Sequence, residues 1–320
     1  MKRPIALIPV ALIAVLLGAC TQSSGGLGPV GSAAPSAEPS VGRGSPDVPP
    51  GSSSPSATPS SQDSPPPAST PPVGSTIVRA YFHLGGDVQA EGLVAVLRVV
   101  PQTQAVARAA MLELLAGPKG QELFDGAGIS TAIPQGTELL GISIEGGIAT
   151  IDLSDEFESG GGSASTMMRL AQVTYTLTQF PTVDRVSFKI NGRAVTVFGS
   201  EGIVLDGPVG RDDYLDLISS IWVDRPAWGA ALNNPGRVSG LANVFEAQFH
   251  IAVLDNDGRA IFDQPVMATC GTGCWGTFDI TIAYDVSRAQ WGALRAYNYS
   301  AADGSIETIR EYPVWLTPAG

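Results

Sequence analysis

Few side chains in this sequence have the type and spacing that chemistry needs. Cys270 and Cys274 stand four apart around Gly271-Thr272-Gly273. In an exported chain such a pair reads as a disulfide. The closed loop is very small, so its stabilisation is about 2 kcal/mol, less any strain. A metal site at the same cysteines needs further ligands, and the chain has 2 histidines in all. Those two, His83 and His250, fall in segments that read as strands of different domains, where ordinary hydrogen bonds account for them. No nucleophile motif such as G-x-S-x-G is present. Asp152, Asp155, Glu156 and Glu158 have the oxygen chemistry for a hard cation such as calcium, but a solvated loop before Gly160-Gly161-Gly162 accounts for them. Asp255-x-Asp257-Gly258 matches half a calcium loop without its later Gly and Glu, which leaves a hairpin turn. No cleft signature supports paired carboxylates for glycoside hydrolysis. The expectation is no catalytic residue, no metal site and no cofactor. Trp228, Trp275, Trp291 and Trp315 are many for one small domain. Any that gather at one end would form a protein-binding or glycan-binding patch.

Cys20 is a different case. Lys2 and Arg3 give a short positive start, and Ile5 to Leu17 is an almost unbroken apolar run containing Pro9. The run is short of the ~20 residues that span a bilayer as a helix and suits the apolar core of an export signal. It ends Leu17-Gly18-Ala19-Cys20, which resembles the lipobox of bacterial lipoprotein signal peptides. The resemblance implies a diacylglyceryl thioether on Cys20 and signal cleavage between Ala19 and Cys20. The thiolate takes the lipid, and the small residues before it let the backbone enter a peptidase cleft. Two or more fatty-acyl chains of the palmitate kind would hold the chain stably at a membrane. The alternatives are an ordinary cleaved signal with a chance cysteine, or a short uncleaved anchor. No later stretch is apolar for long enough to predict another span.

Composition then divides the chain. Residues 1–19 form the signal, and 20–75 the lipidated cysteine with a Pro/Ser/Gly linker that holds more than half of the 25 prolines. Such a segment cannot bury enough apolar area to offset its ordering entropy and is expected to be disordered. As a coil it would average about 40 Å end to end, and as polyproline II it would reach about 170 Å. A glycosylated stalk is an alternative. The net charge of −12 would repel nucleic acid and anionic headgroups, so neither is expected as a ligand.

Residues 76–212 carry the elements of an α+β domain. Thr76–Leu84 alternates as a strand, Gly85-Gly86-Asp87 reads as a turn, and Leu93–Val100 reads as a strand covered on both faces. A helix follows, with Val106, Ala107, Ala110, Met111, Leu114 and Leu115 on one face, stopped by Gly117-Pro118. Glu138–Ile144 and Ile148–Leu153 form a hairpin through Gly146-Gly147. Ser163 or Ser165 caps a second helix with a polar stripe of Arg169, Gln172, Thr176 and Gln179 and a buried face that includes Met167, Leu170, Ala171, Val173, Leu177 and Phe180. Val183–Ile190, Asn191-Gly192 and Ala194–Phe198 make a closing hairpin. The segments Leu114-Leu115-Ala116-Gly117-Pro118, Ile133-Pro134-Gln135-Gly136-Thr137, Ile151-Asp152-Leu153-Ser154 and Val173-Thr174-Tyr175-Thr176-Leu177-Thr178 resemble the GerMN domain. That family is named for a spore-germination and sporulation protein, and is not known as an enzyme.

Residues 218–317 lose the helical period. Seven short strand-like runs with turns between them predict an all-β sandwich. Its expected core includes Trp222, Val238, Phe245, Phe249, Ile251, Val253, Phe278, Ile280, Ile282, Leu294 and Tyr297. Pro235-Gly236-Arg237-Val238-Ser239-Gly240, Asn243-Val244-Phe245-Glu246-Ala247, Asp255-Asn256-Asp257-Gly258, Gly276-Thr277-Phe278 and Ser300-Ala301-Ala302-Asp303-Gly304-Ser305 resemble the immunoglobulin-like domain called Gmad2, which accompanies GerMN. The cysteine pair is not part of that family pattern. The lipobox resemblance implies a cell-membrane protein, lipid-anchored on the extracytoplasmic face, and the GerMN resemblance implies interaction or assembly near the wall. Anchor, tether and two-module layout together lead to the expectation of a non-enzymatic adaptor for cell-envelope proteins. The alternatives are a module that binds peptidoglycan or wall glycan, and a wall hydrolase.

Overall fold

The computed structural model describes residues 72–85, 91–124, 128–199 and 202–320. The signal, Cys20, the Pro/Ser/Gly segment to residue 71 and the turn expected at Gly86-Asp87 lie outside the described residues. Among the described residues no helix is long and apolar enough to cross a membrane.

Val78, Ala80, Phe82 and Leu84 bury one side of β1 (Ser75–Gly85), which pairs antiparallel with β2 (Gly92–Pro101). Leu93 to Val96 are buried in succession, as a strand covered on both faces requires. Helix α1 (Val106–Leu115) buries Ala107, Ala110, Met111 and Leu114, and the chain leaves it through Gly117 at φ +77°. β3 (Gly128–Ser130) joins the other edge of β1 at its last three residues. β4 (Leu139–Glu145) and β5 (Ile148–Leu153) form the expected hairpin, with Gly146 and Gly147 both at positive φ. Helix α2 (Ser163–Leu177) then carries the chain to β6 (Arg185–Ile190), parallel to β5, and β7 (Arg193–Ala194) returns through Asn191-Gly192. The sheets run β2-β1-β3 and β4-β5-β6-β7. The closing hairpin is shorter than expected. β8 (Val197–Phe198) turns away from β6 and pairs with β9 (Ile203–Val204).

The polar stripe of α2 is not a solvated face. Arg169, Gln172 and Thr176 are buried and Gln179 is half-buried. Beyond β3 the edge of β1 lacks a strand, and α2 supplies its partners. Gln179 accepts from the Arg79 N–H at 2.8 Å and donates to the Arg79 carbonyl at 2.7 Å. Thr176 Oγ1 accepts from the Tyr81 N–H at 3.2 Å, and Gln172 Nε2 donates to the Tyr81 carbonyl at 2.9 Å. The side chains of one helix stripe thus stand in for a neighbouring strand, because a buried backbone group without a partner is costly. Arg169 donates to the carbonyls of Phe157, Ser159 and Gly160 and fixes the acidic loop before the helix. No serine side chain caps α2; Gly162 occupies the cap position.

The second domain is a sandwich. One sheet holds β10 (Ile221–Arg225), β12 (Gly236–Ala242) and β15 (Gly276–Ile282). The other, in order, holds β11 (Ala231–Leu232), β17 (Ile306–Leu316), β16 (Gln290–Tyr299), β13 (Gln248–Leu254) and β14 (Ala260–Met267). Phe249, Ile251, Val253, Leu294, Tyr312 and Val314 face inward and are buried, and the Phe249 ring packs on Phe278 at 4.9 Å. Three core expectations fail: Tyr297 is buried, but on the outer face of the larger sheet, and two other residues are not buried. Ile280 is only partly buried, at the free edge of the smaller sheet. Phe245 is 53% exposed, because its short 3-10 turn has Glu246 and Ala247 in left-handed backbone, φ 53° and 58°, and throws the ring outward.

Candidate functional site

Two places gather side chains with chemical character. The first is the junction of the domains. The Trp222 indole N–H donates to the Leu93 carbonyl at 2.8 Å, and its ring meets Tyr175 at 5.6 Å and Tyr81 at 6.4 Å. Asp224 accepts from Arg79 and from the Tyr81 hydroxyl, both at 2.9 Å. Arg211, from the short helical segment before the sandwich, donates to the Tyr81 hydroxyl and lies 4.8 Å from the Tyr175 ring centre. Burial, then the Asp224 charge, pushes the Tyr81 hydroxyl up to about 12 against the pull of both arginines. Burial opposes the Arg211 charge, but Tyr81 and Asp224 outweigh it and hold Arg211 above its ordinary value. Nearby, Trp228 donates its backbone N–H to the Ala95 carbonyl and its indole N–H to Glu122, while Phe124 lies edge-on to Trp228 and Trp291. Trp291 in turn packs on Trp315 at 5.3 Å. These contacts bind the domains to each other.

The tryptophans therefore form no exposed patch. Trp222 and Trp228 are buried, and Trp275, Trp291 and Trp315 are partly covered. The second place uses other aromatics. Register puts His250 opposite Tyr297 on one side and Pro265 on the other. These rings stand on the outer face of the five-stranded sheet, because Ile251 and Leu294 point inward. Trp291 shares that outer face, six positions along the same strand. One end is thus covered by Phe124 of the first domain, and the other end is open. There His250 stacks on Tyr297 at 5.1 Å, and Tyr299 meets both rings edge-on. Asp263 holds the cluster, facing His250 Nδ1 at 3.0 Å and accepting from the Tyr297 hydroxyl at 2.8 Å. Burial first, then bonding to Tyr299 and Asp263, raises the Tyr297 hydroxyl far above its ordinary value.

Beside this cluster is an open hollow of about 280 Å³, lined by Phe245, Glu246, Gln248, His250, Tyr299 and Ser300 among others. Of these, Phe245 and Tyr299 are exposed, as is Met267, the register partner of Gln248. The Cys270–Cys274 disulfide closes a small loop that bonds to the turn bearing Phe245 and Glu246. Inside that loop Thr272 bonds the Val244 carbonyl through its N–H and accepts the Glu246 N–H on Oγ1. The turn that presents Phe245 is held in strained backbone by a covalent loop, a combination met at binding sites. The hollow is too shallow to enclose a small molecule. Among the described residues no serine, threonine or cysteine side chain hydrogen-bonds His250, so its pair with Asp263 lacks a nucleophile.

The remaining candidates are placed as follows. His83 Nδ1 lies 3.3 Å from Ser130 Oγ; burial holds its pKa below the ordinary value, with Glu91 opposing and Arg310 reinforcing. The two histidines are in different domains and are not brought together. Asp152 accepts the Gly192 N–H at 2.9 Å, apart from the 3-10 turn Asp155–Glu158. Asp255 accepts from Asp257, the Arg259 N–H and the Arg259 guanidinium, and the last holds its carboxyl low. No cluster of three metal-ligating side chains occurs among the described residues. Sequence reasoning missed Tyr299 and Met267. The available signal was strand parity, since Tyr297 and Tyr299 alternate with Leu294, Ala296 and Asn298.

Comparison with known proteins follows the same division. Residues 80–196 match the family Germane, sporulation and spore germination. Residues 220–305 match Gmad2, the immunoglobulin-like domain of bacterial spore germination. No curated protein matches the chain. Among solved structures, the first GerMN domain of the sporulation protein GerM from Bacillus subtilis is 26% identical, over 42% of this chain and 99% of that one, with a TM-score of 0.35. The tandem GerMN domains of the same protein are 15% identical, over 77% of this chain and 62% of that one, TM-score 0.36. A candidate lipoprotein from Clostridium perfringens is 20% identical, over 46% of this chain and 95% of that one, TM-score 0.31. The chain thus joins a sporulation and spore germination domain of the GerMN kind to the immunoglobulin-like domain of bacterial spore germination.

Proposed function

We infer that this protein is a non-enzymatic adaptor of the cell envelope, anchored through Cys20 on the extracytoplasmic face, that docks a protein partner on the open end of its second domain. The observation that carries the reading is the ring cluster around the hollow. Its exposed Phe245, Tyr299 and Met267 are the residue types enriched at protein interfaces. Their orientation is fixed in advance by Asp263 and the disulfide loop, which lowers the ordering cost of binding. The absence of a nucleophile at His250 among the described residues favours binding over catalysis. The first domain, clamped at the junction, then serves as a rigid stand.

A photo-crosslinking side chain at Phe245 or Tyr299, in living cells, should capture one envelope protein, and capture should fall when Asp263→Ala loosens the rings. Recovery of no protein would defeat the reading. A second reading, wall-glycan binding, is favoured by one feature. The exposed Tyr299 ring stands beside the Gln248 amide and the Glu246 carboxylate, an apolar face next to hydrogen-bonding groups. Retention of the protein by washed peptidoglycan, lost on Tyr299→Ala, would select it. Cys20→Ser should leave the leader uncleaved and abolish acylation; a lipidated, processed Cys20→Ser protein would remove the anchor from this account.

A further inference from the structure

The charged side chains around the hollow of the second domain have one sign. The segments that surround it, residues 243–250, 260–276 and 297–309, hold Glu246, Asp263, Asp303 and Glu307 and, His250 apart, no basic residue. The arginines that flank those segments are engaged elsewhere. Arg259 is bound to Asp255 at the far end of the β13–β14 hairpin, and Arg310 is fully buried. Arg237 and Arg295 pair with Asp279 and Glu311. Asp263 is taken up by His250 and the Tyr297 hydroxyl. Glu246 differs: it is exposed, lines the hollow and forms no ion pair among the described residues. The turn that carries it is firmly held. Glu246, Ala247 and Thr272 all have left-handed backbone, φ 53°, 58° and 57°, a region that a branched residue such as threonine rarely adopts. The two turns lock each other through the Glu246 N–H on Thr272 Oγ1 and the Gly273 N–H on Asn243. They also approach closely, since a Cβ at Gly271 would lie 2.4 Å from the Ala247 backbone.

We propose that the hollow is a socket for a basic side chain, arginine or lysine, carried by an exposed segment of the protein partner. This rests on the reading of the hollow as a docking surface and adds the charge and residue type of what docks. The exposed Phe245 and Tyr299 rings attract a cation to their faces, and the free Glu246 carboxylate supplies the opposite charge. Gln248 and Ser300 line the same hollow, and their oxygens accept further N–H groups, which suits the five donors of a guanidinium. A neutral His250 that donates its Nδ1 proton to Asp263 keeps Nε2 as one more acceptor. Only the end of a side chain has to enter, so an open hollow of about 280 Å³ is deep enough. Met267 and Ile306, 70% and 45% exposed, meet apolar neighbours of the basic residue. An acidic segment would be repelled by the carboxylates, and a neutral glycan would gain nothing from the charge of Glu246.

The test uses the full chain in a neutral detergent and a dye-labelled Arg-Leu-Arg-Leu-Arg peptide, followed by fluorescence anisotropy. The peptide should bind, its Gln-Leu-Gln-Leu-Gln and Glu-Leu-Glu-Leu-Glu counterparts should bind at least roughly tenfold more weakly, and raising salt from about 50 to about 500 mM should weaken binding severalfold. Glu246→Gln and Tyr299→Leu should each weaken it roughly fivefold. Both side chains are exposed, so these variants keep the fold. Asp285→Asn removes the same charge from the loop before β16, at the end of the sandwich away from Tyr299, and should change nothing. Equal binding of the three peptides, or equal losses from Glu246→Gln and Asp285→Asn, would overturn the socket. In cells, the partner peptide crosslinked from Phe245 should contain arginine or lysine. A captured partner whose linked segment is neutral or acidic, or whose capture survives Glu246→Lys unchanged, overturns the socket and leaves the adaptor reading standing. Selective binding of the basic peptide with no protein captured in cells supports the socket and defeats the adaptor reading.

Discussion

Trp222 tests whether the two domains behave as one cooperative unit. It lies on β10 of the sandwich, is 2% exposed, and packs on Tyr81 and Tyr175 of the first domain. Trp222→Ala removes a large buried ring, a change that costs about 3–5 kcal/mol. It also strands the buried Leu93 carbonyl, worth about 1–3 kcal/mol where water cannot replace the lost donor. Partial relaxation overlaps the two terms, so the expected loss is about 4–6 kcal/mol. Stabilities of single domains are about 5–15 kcal/mol, so a loss of that size at the junction separates the domains. In urea, far-ultraviolet and near-ultraviolet circular dichroism should show one coincident transition for the parent chain and two for Trp222→Ala. Trp222→Phe keeps most of the ring contact and loses only the N–H, and should cost about 1–3 kcal/mol with the single transition kept. A parent chain that already unfolds in two steps would refute the coupling. So would a Trp222→Ala cost below about 1 kcal/mol.

Three further outcomes follow from named contacts. Gln172→Ala leaves the Tyr81 carbonyl and the Ala132 N–H without the partners they have at 2.9 and 2.8 Å, and should cost about 2–4 kcal/mol by thermal unfolding. Tyr81 binds its proton more tightly when folded, up to about 12, so its contribution is intact below pH about 10. It is lost as pH rises to about 12, by about 2–3 kcal/mol; Tyr81→Phe should flatten that alkaline decline. Arg310 is fully buried, and burial pulls its pKa down against the opposing pull of Tyr312 and Glu91. Arg310→Met should be neutral or stabilising by thermal unfolding, by up to about 4 kcal/mol, and a fall of more than about 2 kcal/mol would show that its contacts with Tyr312 outweigh the cost of burying the charge.

The strands of both domains were legible wherever apolar period and turn residues agreed. The Gly146-Gly147 and Asn191-Gly192 hairpins, the α1 stop at Gly117-Pro118 and the inward Phe249, Ile251 and Val253 all carry local signals. The polar stripe of α2 was misread for a physical reason. Periodicity tells which residues share a face, and it found Gln172, Thr176 and Gln179 together. It does not tell whether that face meets water or the bare edge of a strand. Amides and hydroxyls suit both, because they satisfy backbone groups as well as water does. The stripe holds one charge, Arg169, and that side chain is spent on the carbonyls of Phe157, Ser159 and Gly160. A solvated stripe on so acidic a protein would carry more charge, and that was the clue available.

The open hollow was hidden for a related reason. An aromatic residue counts as core in any residue-type reading, and burial does favour it. Phe245 sits in a turn whose left-handed Glu246 and Ala247 no local motif announces, since neither is glycine or asparagine. The conformation is held from outside the turn, by Thr272 of the Cys270–Cys274 loop and by the Ala268 N–H on the Ala247 carbonyl. Tyr297 and Tyr299 were countable by parity, yet parity alone places them on a face without saying whether that face is covered. The same face gives both answers in this molecule: Phe124 covers its Trp291 end, and Tyr299 at the other end stays 47% exposed. Coverage is a property of the neighbouring domain's shape. A sequence reading that stops at one domain therefore cannot separate a ring that clamps the junction from a ring left open to solvent.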